Sequence, residues 1–191
     1  KEMIAGTSTL SLMLVNEKVQ RQLEQGEPVD NVDLPIGTKI YYYNKDGSKI
    51  PYALKNRAII TAKAIVNASA GFDQQTNLPT VNVKLKGDEV SNFYNVTSKN
   101  IGKRLAILLI QTSFSQVKVN GKTKSIPHTT SEVINAASIN SALGTQFQIT
   151  GVGDINQVKN LASRIRSGAL PAPVQIIQDK QNTYISINIK S

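Results

Sequence analysis

Arg164-Ile-Arg-Ser-Gly-Ala-Leu-Pro-Ala-Pro-Val-Gln-Ile176 closes a helix and launches an extended segment. Upstream, Asp154 is a good N-cap, and Gln157 stands three residues on, where a capping box needs a side chain that reaches back. Ile155, Val158, Leu161, Ala162 and Ile165 recur at helical spacing and form one apolar stripe. Arg164 and Arg166 suit the negative end of the helix dipole, and Gly168 is expected to end the helix in the left-handed conformation. Pro171 and Pro173 fix φ and bias Leu170 and Ala172 towards extended geometry, so the chain should leave stiffly.

The same grammar occurs earlier. Ala64 to Phe72 and Thr80 to Lys86 read as strands, Gly87-Asp88 opens a helix expected to run to near Gly102, and Arg104 to Ile110 is again a strand. Later come strands Val133 to Ile139 and Gln146 to Thr150, the helix from Asp154, and extended Pro173 to Ile177. Gly87-Asp88 and Gly153-Asp154 stand 66 residues apart, as do Gly102 and Gly168. This spacing predicts two ββα-plus-strand units. Neither can bury its helix stripe alone, so both helices are expected on one face of a shared, mostly antiparallel sheet: an α+β, ferredoxin-like sandwich.

The remaining segments are simpler. Thr7 to Asn16 alternates with Leu10, Leu12 and Leu14 on one side, a half-buried strand. Glu17 to Gly37 has no clean period and reads as a surface excursion with a helical turn at Val19 to Gln25. Asp46-Gly47 and Asn120-Gly121 are hairpin turns. Tyr41 to Tyr43 are accounted for by a strand with mixed faces. Beyond Gln178, Asp179 to Asn182 forms a turn, and Ile185, Ile187 and Ile189 alternate with polar residues as a strand.

Composition narrows the chemistry. The 191 residues are 40% hydrophobic and 18% charged, a globular balance sized for one domain. No apolar run approaches the roughly 18–20 residues needed to cross a bilayer. The chain begins at Lys1 and reads as a piece excised from a longer protein. The net charge of +9 permits nucleic acid, an anionic membrane surface or acidic polypeptide as partner. The basic residues are scattered, and the aromatics do not interleave with them as a stacking platform would. With no cysteine, thiolate nucleophiles and thiolate metal sites are excluded.

No catalytic constellation emerges. His128, the only histidine, sits in an expected loop without a Ser/Asp pattern around it. Asp88-Glu89 is explained by a helix start, and Asp30 and Asp33 lack the rest of a calcium loop. Gly151-Val-Gly153 lacks the lysine of a phosphate loop and reads as a tight strand-to-helix turn. The chain is expected to be no enzyme, to need no cofactor or metal, and to act as a binding or mechanical module.

The Arg164–Ile176 stretch resembles the RAGALPAP-type segment of the SecD family. Gly6-Thr-Ser-Thr-Leu-Ser-Leu-Met-Leu-Val-Asn16 is similar to the strand entering the head of that family's first periplasmic domain. Asn100-Ile-Gly-Lys-Arg-Leu-Ala106 looks like its NIGKRLA stretch, and Glu132 to Ile139 and Phe147 to Gly151 follow in the family's order. The likeness covers about residues 5 to 178. It departs over residues 18 to 56, and after Gln178, where no transmembrane helix follows.

The resemblance implies an inner-membrane subunit that works with SecF beside the SecYEG channel. With the proton-motive force, such a subunit helps draw unfolded polypeptide into the periplasm. It further implies a head over residues 18–170, with 1–17 and 171–191 supplying strands of the base. The hinge between them falls at Val15, Asn16 and Glu17 on the way in and at Leu170, Pro171, Ala172 and Pro173 on the way back. Proton-carrying residues belong to membrane helices outside this chain. The fragment is expected to be monomeric and to bind no nucleic acid; its substrate-binding residues are unassigned. Two rivals stay open: a structural spacer that never touches substrate, and a basic nucleic-acid-binding α+β domain.

Overall fold

The structure, a computed structural model, describes residues 3–169, 174–178 and 183–187. In chain order the elements are β1 (Met3–Leu14), α1 (Glu17–Glu24), β2 (Thr38–Lys45), β3 (Ser48–Lys55), β4 (Ile65–Phe72) and β5 (Pro79–Leu85). There follow α2 (Glu89–Ser98), β6 (Arg104–Val119), β7 (Lys122–Ser138), β8 (Gln146–Thr150), α3 (Ile155–Ala169), β9 (Val174–Gln178) and β10 (Thr183–Ile187). The class is α+β and every strand pairing is antiparallel, but the strands do not share one sheet. One sheet has the order β1-β6-β7 and another β4-β5-β8, while β2-β3 and β9-β10 are separate hairpins. The expected repeat units are therefore divided: β5 and β6 part company, and so do β7 and β8.

The reason lies in the side-chain patterns. Leu105-Ala-Ile-Leu-Leu109 in β6 is buried without a break, the signature of a strand covered on both faces. Its register sets Leu10 opposite Leu109, Leu12 opposite Ile107 and Leu14 opposite Leu105 on one face, and Met13 opposite Ala106 on the other. Both sides of β1 are thus buried, so it is a central-layer strand and not the half-buried one expected. In β5 and β8, by contrast, Val81, Val83, Phe147 and Ile149 are buried while Lys84, Gln146 and Gln148 are exposed. That sheet has one apolar face to cover, and α3 lies across β4, β5 and β1 to cover it.

Two main cores result. In the larger, Leu10, Leu12, Leu105, Ile107 and Leu109 face Ala68, Val81, Val83 and Ile149, with Val158, Leu161, Ala162 and Ile165 of α3 between them. Phe93 of α2 enters the same core edge-on to Phe147, ring centroids 6.0 Å apart. The second core, on the other side of the β1-β6-β7 sheet, joins Met13, Val15, Ala106, Leu108 and Val133 to Leu54, under Tyr41, Tyr43 and Tyr52. The β2-β3 hairpin is thus a third layer. Each fully buried Leu or Ile contributes roughly 1.5–3 kcal/mol.

Local signals held at several points. Asp46 and Gly47 (φ 50° and 82°) and Asn120 and Gly121 (φ 51° and 73°) form the two-residue turns of β2-β3 and β6-β7. Asp154 Oδ1 accepts from the Asn156 and Gln157 amides at 2.8 and 2.9 Å, and Gln157 Oε1 accepts from the Asp154 amide at 2.8 Å. Other expectations need correction. α2 ends at Ser98, well short of Gly102; Asn100 Nδ2 donates to the Val96 carbonyl, satisfying an end that the longer helix would have continued. Asp88 makes no capping bond, whereas Glu89 accepts from the Thr61 amide and hydroxyl, both at 2.8 Å. His128 lies in β7, its Nε2 2.7 Å from Ser115 Oγ, and not in a loop.

Gly168 does not end α3, which runs on to Ala169, and its φ is not positive. Its role is spatial. A Cβ at this position would overlap the Ser8 carbonyl, so glycine lets the helix rest directly on the β1 backbone. Arg166 donates from its guanidinium to the Ala68 carbonyl at 3.1 Å, a second tie between α3 and the sheet. β9 and β10 bear out the two terminal strands, with Ile176 opposite Ile185; the expected turn between them, and Ile189, lie outside the described residues.

Candidate functional site

One open cleft, of about 830 Å³, joins several layers of the fold. Its walls come from distant parts of the chain. The tip of the β2-β3 hairpin supplies Tyr43, Asn44, Lys45 and Asp46. Leu109 and Val133 lie in its floor, and α3 forms the opposite wall with Asn156, Gln157, Asn160 and Arg164. The positions 156, 160 and 164 follow at four-residue intervals, which places them along one line of the helix.

Two local devices hold that wall. Gly151 and Gly153 take φ of 73° and 121°, conformations that let β8 turn sharply into α3. A Cβ on Gly153 would overlap the Gln157 side chain, so the glycine also makes room for the capping box. On the facing wall, Asn44 Nδ2 donates to Glu132 Oε2 at 3.1 Å and clasps the hairpin tip to β7. Lys45 and Arg164 are matched by Asp46 and Glu132, so the lining favours neither sign of charge. Its distinctive chemistry is the carboxamide, which both donates and accepts.

A smaller apolar slot of about 290 Å³ opens between β7 and β8 over Leu105, Ile107, Ile139, Leu143 and Phe147. It is clasped by a hydrogen bond from Asn135 Nδ2 to the Thr150 carbonyl. Among the described residues no group of three or more His, Cys, Asp or Glu side chains is placed to hold a metal ion.

The first segment expected to act as a hinge, Val15 to Glu17, is firmly tied. Val15 is 1% exposed and bridges to Leu54, and the Asn16 amide donates to the Ala53 carbonyl at 2.8 Å. Asn16 Nδ2 donates to Thr38 Oγ1 at 2.9 Å. Glu17 accepts from the Arg104 backbone amide at 2.8 Å and pairs with its guanidinium at 2.8 Å, while Glu24 takes the other side of the same guanidinium. The Arg104 hydrogen bonds hold the Glu17 carboxyl below the usual glutamate range, and the two carboxylates push the guanidinium up. Leu170, Pro171, Ala172 and Pro173 lie outside the described residues.

Sequence reasoning left the cleft unassigned. One signal was present: the polar side of α3 carries Asn156, Gln157 and Asn160 where a solvated helix ordinarily carries lysine and glutamate. Nothing local, however, tied those residues to Asn44.

Comparison with known proteins places the chain in a family. The family model for the SecDF P1 head subdomain matches residues 38–172. The protein translocase subunit SecD of Haemophilus influenzae is 34% identical over 181 residues, 94% of this chain and 28% of that protein. SecD of Escherichia coli K12 is 33% identical over 181 residues with the same coverage, and that of Aquifex aeolicus 29% over 182 residues. The chain thus spans less than a third of the length of these relatives. A solved structure of a membrane component SecDF that enhances protein export aligns with 97% of this chain and 69% of its own, at 20% identity and a TM-score of 0.49. The chain belongs to the SecDF P1 head family, as the corresponding region of a SecD-type protein translocase subunit.

Proposed function

We propose that this region holds an unfolded polypeptide during export, with the cleft between the β2-β3 hairpin and α3 as its grip. The supporting observation is the lining of carboxamides around an apolar floor. An exported chain is sequence-diverse, so a grip must read its backbone and its general hydrophobicity, not particular side chains. Carboxamides suit this because each can accept from a peptide N–H and donate to a peptide C=O. The fold already contains one such contact. Buried Gln20 donates from Nε2 to the Pro51 carbonyl at 3.2 Å and accepts at Oε1 from the Ala53 amide at 2.8 Å.

In this reading the parent protein works on the periplasmic side of the inner membrane with SecF and the SecYEG channel. Residues 18–170 act as a head on a base formed partly by 1–17 and 171–191. Hinge motion at Val15, Asn16 and Glu17 and at Leu170, Pro171, Ala172 and Pro173 changes the head's orientation under the proton-motive force. Movement assists export only if the grip differs in strength between the two orientations.

A photo-crosslinker at Asn160 in the full-length parent, with an export intermediate stalled in the channel, tests the grip. A cross-link from Asn160, but not from Asn82 on the outer polar face of the β4-β5-β8 sheet, is the expected result. No cross-link from any cleft position would leave a structural spacer.

A further inference from the structure

The described part of β1 accompanies β6 only as far as Ser115, its partner being Met3. Beyond that point β6 and β7 pair with each other alone among the described residues, to the Asn120-Gly121 turn. Every residue from Lys118 to Ser131 is exposed. From Val90 to Ser131 the sequence has no Asp or Glu, while Lys118, Lys122 and Lys124 gather at the ribbon's end.

The register sorts these side chains. Val119 stands opposite Lys122, Val117 opposite Lys124 and Ser115 opposite Ile126. Paired residues share a face and alternate rungs return to it, so Val117, Val119, Ile126, Lys122 and Lys124 form one surface. Val119 is 40% and Ile126 41% exposed, apolar groups left among lysines.

We infer that the end of the β6–β7 ribbon is a finger that docks on an anionic phospholipid surface. The charge is complementary and uninterrupted by acid. Lysine stems bury their methylenes beside apolar groups and keep the ammonium at headgroup level. Val119 and Ile126 meet the boundary between headgroups and acyl chains. Nucleic acid fits less well: this face has no Phe, Tyr or Trp to stack on a base, and the ribbon beyond Arg104 has no arginine to fork onto a phosphate. Lysines also guard exposed strand edges against aggregation, but a purely protective set has no use for the apolar members of the face.

The test uses this chain with vesicles of phosphatidylglycerol in phosphatidylcholine, against phosphatidylcholine alone, at low salt. Binding is expected only to the anionic vesicles. At roughly 1 kcal/mol for each lysine near such a surface, the triple variant Lys118→Gln, Lys122→Gln, Lys124→Gln should lose about a hundredfold in partitioning. Lys63→Gln, Lys84→Gln, Lys86→Gln removes the same charge elsewhere and should lose far less. The chain has no tryptophan, so Ile126→Trp is a clean reporter whose emission should shift to the blue on anionic vesicles, while Val66→Trp should not. Absent binding, or equal losses in the two triple variants, overturns the inference. Binding to polyglutamate as strong as to vesicles, with Ile126→Trp unshifted, replaces it with an acidic-polypeptide site.

Discussion

Gly168 of α3 sits against the carbonyl of Ser8 in β1, with no room between them for a Cβ. The contact sets how closely the helix approaches the layer that carries the cleft floor. Gly168→Ala brings two opposed effects. Helix propensity favours alanine by about 1 kcal/mol, and overpacking against a backbone atom costs roughly 1–3 kcal/mol. The steric effect should win, so the urea midpoint should fall. A midpoint that rises would mean that the helix rides further from β1.

The Asp154–Gln157 box is expected to contribute measurably. Asp154→Ala should cost about 1 kcal/mol, within the range of roughly 0.5–2 kcal/mol for lost N-caps. Gly153→Ala should also destabilise, through its φ of 121° and its overlap with Gln157. Thermal unfolding of Gln157→Ala and of Gly153→Ala/Gln157→Ala separates the two causes. Removing the Gln157 side chain should recover part of the Gly153→Ala loss and leave the backbone strain.

Phe93 is fully buried and is the point at which α2 enters the main core. Phe93→Ala should destabilise by about 3–5 kcal/mol and Phe93→Leu by much less, read from chemical denaturation. A small loss for alanine would show that α2 can settle onto Phe147 and fill the space.

The Glu17–Arg104 contact predicts a pH dependence. The folded carboxyl lies below its usual range because Arg104 donates to it. Its stabilisation is therefore complete above the unfolded value of about 4.3, and it is lost as pH falls through the lower folded value. Glu17→Ala should cost about 1 kcal/mol at neutral pH, the pair being partly solvated. The difference between wild type and variant should shrink on acidification below the glutamate range. A constant difference across that range would assign the loss to packing.

Replacing Pro171 and Pro173 with glycine should leave the head folded, at a cost on the order of 1 kcal/mol per site or somewhat more. In the full-length parent, late export should slow. Outright unfolding would make the prolines packing elements, and export at the normal rate would remove stiffness at this joint from the mechanism.

The elements legible from sequence were those decided within a few residues. The Asp154 box closes over three positions, and the Asp46-Gly47 and Asn120-Gly121 turns over two. The apolar stripe of α3 needs only its own period. Even the run Leu105 to Ile110 announced a strand, although the unbroken burial of Leu105 to Leu109 had a further consequence, a cover on each face, that its neighbours alone do not reveal.

Partner choice was another matter. The regular 66-residue spacing suggested two like units on one sheet. The hydrogen bonds instead pair β6 with β1, as in Leu10 opposite Leu109, and β5 with β8, as in Val81 opposite Ile149. Any antiparallel strand offers the same backbone donors and acceptors, so pairing is decided by which apolar faces can be covered together. Gly168 makes the same point for one residue: glycine can be required by φ or by space, and only the position of Ser8 shows which. The cleft is wholly of this second kind, since Asn44 and Asn160 come to line one space only after three layers have stacked.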